Sequence, residues 1–253
     1  MNCFQLRQSV TRLTMAVLLS TIAAQLSIPA IAQPASIQFE PPPPPPKGEP
    51  TGRGQGGGSR GPCSPYNNLI ALVPVTQGTP WGLTTAERPS IWFHAPNGLL
   101  TGATIEFALR DEAGKTLYTS RFPTRNTPPG VFSLTLPNTA QPLQAGGYRW
   151  ALSISCSADV PDRPISISGR IQRILPQSLL QQQLRQAKTP LEQAAVYAKG
   201  GIWYDALTTL GTPRCRSSLP NSALAAAWTD LLQQVNLTPA TSVRTITRCG
   251  IGQ

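Results

Sequence analysis

Apolar and polar positions alternate most regularly along GYRWALSISC (147–156). Tyr148, Trp150, Leu152, Ile154 and Cys156 share one face there, and Arg149, Ala151, Ser153 and Ser155 the other. A period of two is what a strand with one buried face produces. Further short segments rich in β-branched and aromatic residues recur between Pro/Gly turns: NLIALVPV (68–75), PSIWFHA (89–95), TIEFALR (104–110), KTLYTSRF (115–122), VFSLTLP (131–137) and PISISGRIQRI (164–174). DEAGK (111–115) reads as a hairpin turn between the third and fourth strands. Short antiparallel strands at this spacing predict an immunoglobulin-like β-sandwich over residues 63–175.

After Pro176 the apolar period lengthens to that of a helix. Leu179, Leu180 and Leu184 make a short amphipathic stretch. Thr189 then stands as an N-cap, with Pro190 at the first helical position and Glu192 closing a capping box. Leu191, Ala194, Ala195 and Ala198 follow at helical spacing, Gly200-Gly201 breaks the helix, and Ile202–Leu207 opens the next. A last helix over 222–235 aligns Leu224, Ala227, Trp228, Leu231 and Val235. The chain is therefore expected to be α+β, a sandwich followed by a helical region over 176–253. LEQAAVYAKGGIWYDALTTL resembles a tetratricopeptide unit, with Ala194, Tyr197, Gly200 or Gly201, Trp203, Ala206 and Leu210 at its small, turn and aromatic positions. That resemblance implies a helical hairpin able to bind a partner segment, with Tyr197, Trp203 and Tyr204 as the candidate partner surface. The simpler alternative is a helical pair that packs on the sandwich. Only one copy is visible, and such repeats usually stack to bury their faces.

The N-terminus has a different texture. Arg7 and Arg12 precede an apolar run from Leu13 to Ala24, and Ala30-Ile31-Ala32 has the small-x-small form of a cleavage site before Gln33. The run is shorter than the roughly 20 apolar residues that cross a bilayer. Residues 1–32 are thus expected to be a signal peptide, and the mature chain to be periplasmic or secreted without a transmembrane segment. Residues 33–62 include six consecutive prolines, then GRGQGGGSRGPC, in which Gly52, Gly54 and Gly57 have G-x-G-x-x-G spacing. A dinucleotide loop needs a preceding strand and a following helix. Here prolines precede the glycines and Pro62 follows them, so the segment reads as a disordered tether: a stiff proline rod and a flexible joint.

Export also decides how the cysteines are read. Cys3 leaves with the signal peptide, and Cys63, Cys156, Cys215 and Cys249 remain. An even number in an oxidising compartment favours disulfides, and no C-x-x-C spacing suggests zinc. Of the possible pairings, Cys63–Cys156 with Cys215–Cys249 keeps each bridge within one expected region.

PYNNLIALVPVT, GLTTAERPSIWFHAP, GYRWALSISC and YAKGGIWYDALTTL, taken together, resemble a cyanobacterial exported family known as a domain of unknown function. The likeness runs from about Gly61 to Leu237. It implies an exported protein without an assigned activity. Cys63 and Cys156 fit the family pattern, whereas Cys215 and the tail through Cys249 depart from it.

Catalytic chemistry has few carriers. His94 is the single histidine, so a Ser-His-Asp or Cys-His mechanism would have to route through it from within a strand. Asp111-Glu112 and Asp159…Asp162 fall in turns, and Glu87 and Asp205 are placed for local structure, the latter near a helix N-terminus. No enzyme activity, cofactor or metal is expected. Removing Arg7 and Arg12 lowers the formal charge from +10 to +8, which favours an anionic glycan or lipid surface over nucleic acid in an exported chain. The expected role is a non-catalytic protein–protein interaction module or adapter with an envelope protein partner. The alternative is a module binding cell wall or acidic polysaccharide.

Overall fold

Two β-sheets carry the first half of the fold, seen in a computed structural model that describes residues 36–43, 54–57, 61–156, 164–216, 221–240 and 246–250. The expected signal peptide over 1–32, with its expected cleavage site, and much of the proline–glycine stretch lie outside the described residues. One sheet has the order β1 (Ile70–Ala71), β4 (Ser90–Ala95), β7 (Gly130–Thr135), β10 (Ile246–Arg248). The other runs β2 (Val75–Thr76), β3 (Thr79–Thr84), β9 (Ile165–Arg173), β8 (Gly146–Ser155), β5 (Thr104–Asp111), β6 (Thr116–Pro123). Phe93 of β4 stacks on Phe132 of β7 and meets Trp150 of β8 edge-on, so these rings fill the space between the sheets.

β8 alternates as its sequence predicts, and DEAGK turns the β5–β6 hairpin, where Asp111 Oδ1 accepts from Lys115 N. Three strand expectations need correcting. The sheets are not wholly antiparallel: β3 runs parallel to β9 and β10 parallel to β7. Both pairs join segments distant in sequence, so no tight turn dictates their direction. NLIALVPV is not one strand, because Pro74 has no N–H for a ladder, and the segment divides into the two-residue β1 and β2 around a bend. TPWGLT is not among the segments expected as strands but forms β3. Its Gly82 is needed there, since a Cβ would lie 3.1 Å from both Trp203 and Tyr204.

All six residues of β4 are buried because the strand is covered on both faces. Phe93 points into the sandwich, while Trp92 donates from Nε1 to Thr208 Oγ1 and meets Trp228 edge-on. The helices are α1 (Ser178–Gln186), α2 (Pro190–Lys199), α3 (Trp203–Arg216) and α4 (Ser222–Gln234). The capping box forms as spaced: Thr189 Oγ1 accepts from Glu192 N, and the Glu192 carboxylate accepts from Thr189 N. Asn221 caps α4 by accepting from Leu224 N. The helices and the sheets share one continuous apolar core, and Pro34–Gln253 form one unit. The boundary expected at 175/176 therefore separates kinds of element and not separate cores.

The tether is corrected in part. Ile37 and Phe39 are buried, and Phe39 packs edge-on against Trp203. Gln234 bridges their backbone, its Nε2 donating to Ile37 O and its Oε1 accepting from Phe39 N, while Glu40 N donates to Ala198 O. Further along, Ala71 N donates to Gly54 O and Gly56 N donates to Leu69 O. Residues Ile37–Glu40 and Gly54–Gly56 are thus held on the folded region. The anchoring motif of the first is only the alternation Ile37, Phe39, too short to stand out beside the prolines.

Candidate functional site

The aromatic residues of the helical region sit where their side chains find partners. Trp203 and Tyr204, expected on a partner surface, are buried. Trp203 Nε1 donates to Leu72 O at 2.8 Å, and Tyr204 OH donates to Arg170 O at 2.9 Å while accepting from Trp150 Nε1 at 3.0 Å. Burial drives the Tyr204 hydroxyl far above its ordinary pKa, so it stays a neutral donor. These two residues join α3 to the sheets and offer no face to a partner. Large rings with one polar atom favour such a half-apolar, half-hydrogen-bonded niche.

Tyr197 is half-buried, and burial, with the nearby Asp205 charge, raises its pKa. Asp205 lies in the first turn of α3, as its position in sequence suggests. It accepts from Thr85 N at 2.8 Å and from Thr85 Oγ1 at 3.4 Å. Burial raises its pKa, and these hydrogen bonds pull it part of the way back. The carboxyl therefore docks the β3–β4 turn on the helix. Glu87 meets Arg173 at 3.4 Å, and Asp159 and Asp162 lie outside the described residues. His94 is buried in β4, where its Nδ1 has no hydrogen-bond partner and burial lowers its pKa.

Cys63 stands opposite Cys156 with Cα atoms 5.2 Å apart, and Cys215 opposite Cys249 at 6.1 Å. The first pair ties the start of the folded region to the end of β8. The second ties the end of α3 to the residue after β10. Among the described residues, no three His, Cys, Asp or Glu side chains gather in a way that suits a metal ion. Nor is any described helix long and apolar enough to cross a membrane.

The concave feature of the helical region lies outside the aromatic cluster. A groove of about 810 Å³ runs between α1 and α2, floored by Leu180, Ala195, Val196 and Ile202 and bordered by Leu175 and Leu179. Leu175 and Leu179 are each 63% exposed, a large apolar display for two neighbouring leucines. Its polar rim carries Glu40, Glu192 and Lys199. Glu192 stays ionised below the usual carboxylate range because it accepts from Lys188 N and Thr189 N. The sequence marks the leucine stripe of α1 but not the missing cover over it.

The family model described as "Domain of Unknown Function (DUF928)" matches residues 55–245. No curated protein matches the chain. Among solved structures, the C-terminal domain of wzt aligns at 12% identity over 43% of this chain and 73% of its own, with a TM-score of 0.25. The β-glucuronidase of Parabacteroides merdae aligns at 12% identity over 60% of this chain and 26% of its own, again with a TM-score of 0.25. This chain therefore spans about a quarter of that enzyme's length.

Proposed function

The chain belongs to the DUF928 family, a domain of unknown function, and from that premise we propose that it is a non-catalytic exported interaction module. Its docking surface is the α1–α2 groove, and its partner is an apolar segment of an envelope protein. The observation that carries this reading is the exposed Leu175–Leu179 border over an apolar floor, on a protein whose other large side chains are mostly covered. A second observation supports it. The same helical region already holds an extended segment, Ile37–Glu40, by two alternate side chains and a side-chain amide clamp on the backbone, and Glu40 borders the groove. Extended and helical peptides are recognised in this manner, by apolar anchors and backbone hydrogen bonds.

In this reading the two sheets form an immunoglobulin-like sandwich that serves as the rigid mount, and α2–α3 a tetratricopeptide-like hairpin. Two disulfide-paired cysteine couples suit a periplasmic or secreted chain. The test places a photoreactive amino acid at Leu179 in the mature chain and irradiates it in a detergent-solubilised envelope fraction. A discrete adduct that disappears when Leu180 and Val196 are both changed to Asp supports the groove. No adduct, or one indifferent to those changes, sinks the reading.

A further inference from the structure

The strands at the sheet margins differ in length. β1 and β2 have two residues each and β10 has three. Gly54–Gly56 lies along the outer side of β1, with Gly54 O accepting from Ala71 N and Gly56 N donating to Leu69 O. β6, at a margin of the six-stranded sheet, has eight residues. Its hydrogen-bond phase follows from its neighbour. Thr124 N donates to Ala103 O, and bonded pairs alternate with unbonded ones in an antiparallel ladder, so Ile105–Phe122, Phe107–Ser120 and Leu109–Tyr118 are the bonded pairs. The N–H and C=O of Thr119 and Arg121 therefore point away from β5, and no described group bonds them.

An open strand margin is a template for a further strand, and proteins ordinarily blunt it with charge, proline or a bulge. β6 carries such devices at its ends. The register slips at Leu117, where Leu109 faces Tyr118 and Arg110 faces Thr116, and Pro123 has no N–H to donate. Between them the ladder is regular from Tyr118 to Phe122, and its single charge, Arg121, stands directly opposite Glu106. That stretch, Tyr-Thr-Ser-Arg-Phe, is quasi-palindromic about Ser120. Tyr118, Ser120 and Phe122 face the core side, with both rings half-buried against it, while Thr119 and Arg121 are exposed on the other face.

We propose that β6 pairs antiparallel with β6 of a second copy, about a two-fold axis that passes through Ser120 normal to the sheet. Rotation about such an axis keeps each residue on its own face and makes the contact self-complementary. Thr119 then exchanges both backbone bonds with Arg121 of the second copy, and Arg121 with its Thr119, so the outward groups of both residues are satisfied. Tyr118 meets Phe122 of the second copy at an unbonded position, where side chains lie closest, and the exposed parts of the rings are covered. Arg121 never opposes its own counterpart. A register centred on Arg121 would oppose like charges, and one centred on Thr119 would set Arg121 against the bulged Leu117. This interface is separate from the α1–α2 groove and does not depend on it.

The experiment is sedimentation velocity of the chain over 33–253, under non-reducing conditions, from about 1 to 200 μM. A monomer–dimer equilibrium is expected within that range, as suits an interface one strand wide. Thr119→Lys places a cation opposite Arg121 on both sides of the axis and should weaken the dimer by about tenfold or more, with an unchanged thermal midpoint for the dilute monomer. Single cysteines read the register. Residues opposed at an unbonded position have Cα atoms about 4.5 Å apart, within disulfide reach, so Ser120→Cys should give a covalent dimer on oxidation. Thr119→Cys alone and Arg121→Cys alone should not, because each stands two residues out of register with its counterpart, more than about 7 Å away. A monomer throughout the range overturns the proposal. So does a dimer indifferent to Thr119→Lys, one lost instead with Leu179→Asp, or crosslinking through Thr119→Cys in preference to Ser120→Cys.

Discussion

Helices α1 and α3 lie in the same region and both carry apolar stripes, yet they end in opposite situations. α3 buries Trp203, Tyr204, Ala206, Leu207 and Leu210, whereas α1 buries none of its residues. Both stripes obey helical spacing, so the pattern identifies an apolar face in each case but not what covers it. The most aromatic stretch is also the costliest to leave in water. It was taken by the sheets, and the leucines were left outside. A function read from conspicuous aromatics therefore pointed at the core, and the uncovered surface lay one helix away.

The sharpest test of that contrast is Trp203→Ala. It empties a fully buried niche, removes the bond to Leu72 O and strips Phe39 of its ring partner. The expected loss is about 3–5 kcal/mol, a fall in Tm of roughly 10 °C for a domain of this size. Denaturant unfolding followed by fluorescence measures it. A loss below about 1 kcal/mol would mean that α3 is not bound to the sheets as described.

Next in size is the N-terminal segment. A chain begun at Pro41 loses, relative to one begun at Gln33, the buried Ile37 and Phe39 and leaves Gln234 without its backbone partners. Burial of two such side chains, less the entropy of ordering them, is worth about 2 kcal/mol. Equal stability of the two chains would restore the free-tether reading.

Asp205 tests the same junction through pH. Its folded pKa is raised by burial, so its contribution is present below about pH 3.9 and is lost as pH rises through the folded value. Asp205→Asn has no such titration and keeps an acceptor for Thr85 N. The stability of the variant relative to wild type should therefore rise between pH 4 and 7. A flat difference would show that the hydrogen bonds from Thr85 offset burial completely. His94 has the opposite sign: its lowered pKa contributes stability above about pH 6.5 that is lost as pH falls through the folded value.

What could be read from sequence was local. The β8 alternation, the DEAGK turn, the Thr189–Glu192 box and the position of Asp205 each follow from residues within a few places of one another. What escaped was decided at long range. The parallel direction of β3 and β10, the covering of Trp203 by a strand more than a hundred residues earlier and the seating of Ile37–Glu40 on α2 and α4 leave no periodic trace. The β6 margin is legible only in part, because its palindrome stands in the sequence but its open side follows from strand order alone. The groove shares this limit, since exposure is a property of the assembled fold.

The smallest expected effect completes the contrast. Leu179→Ala on α1 removes a side chain that is 63% exposed and leaves alanine, the best helix former, in its place. Stability should change by less than about 0.5 kcal/mol, several times less than for Trp203→Ala. If Leu179 instead destabilised the protein by about 2 kcal/mol or more, it would be packed in solution, and the groove would be closed without a partner. A neutral result, with loss of the adduct when the photoreactive amino acid is placed instead at neighbouring Leu180, would separate the two helices by role: α3 holds the fold, and α1 presents the surface. The two measurements must be made on the same variant, since only together do they distinguish an uncovered side chain that binds from one that does nothing.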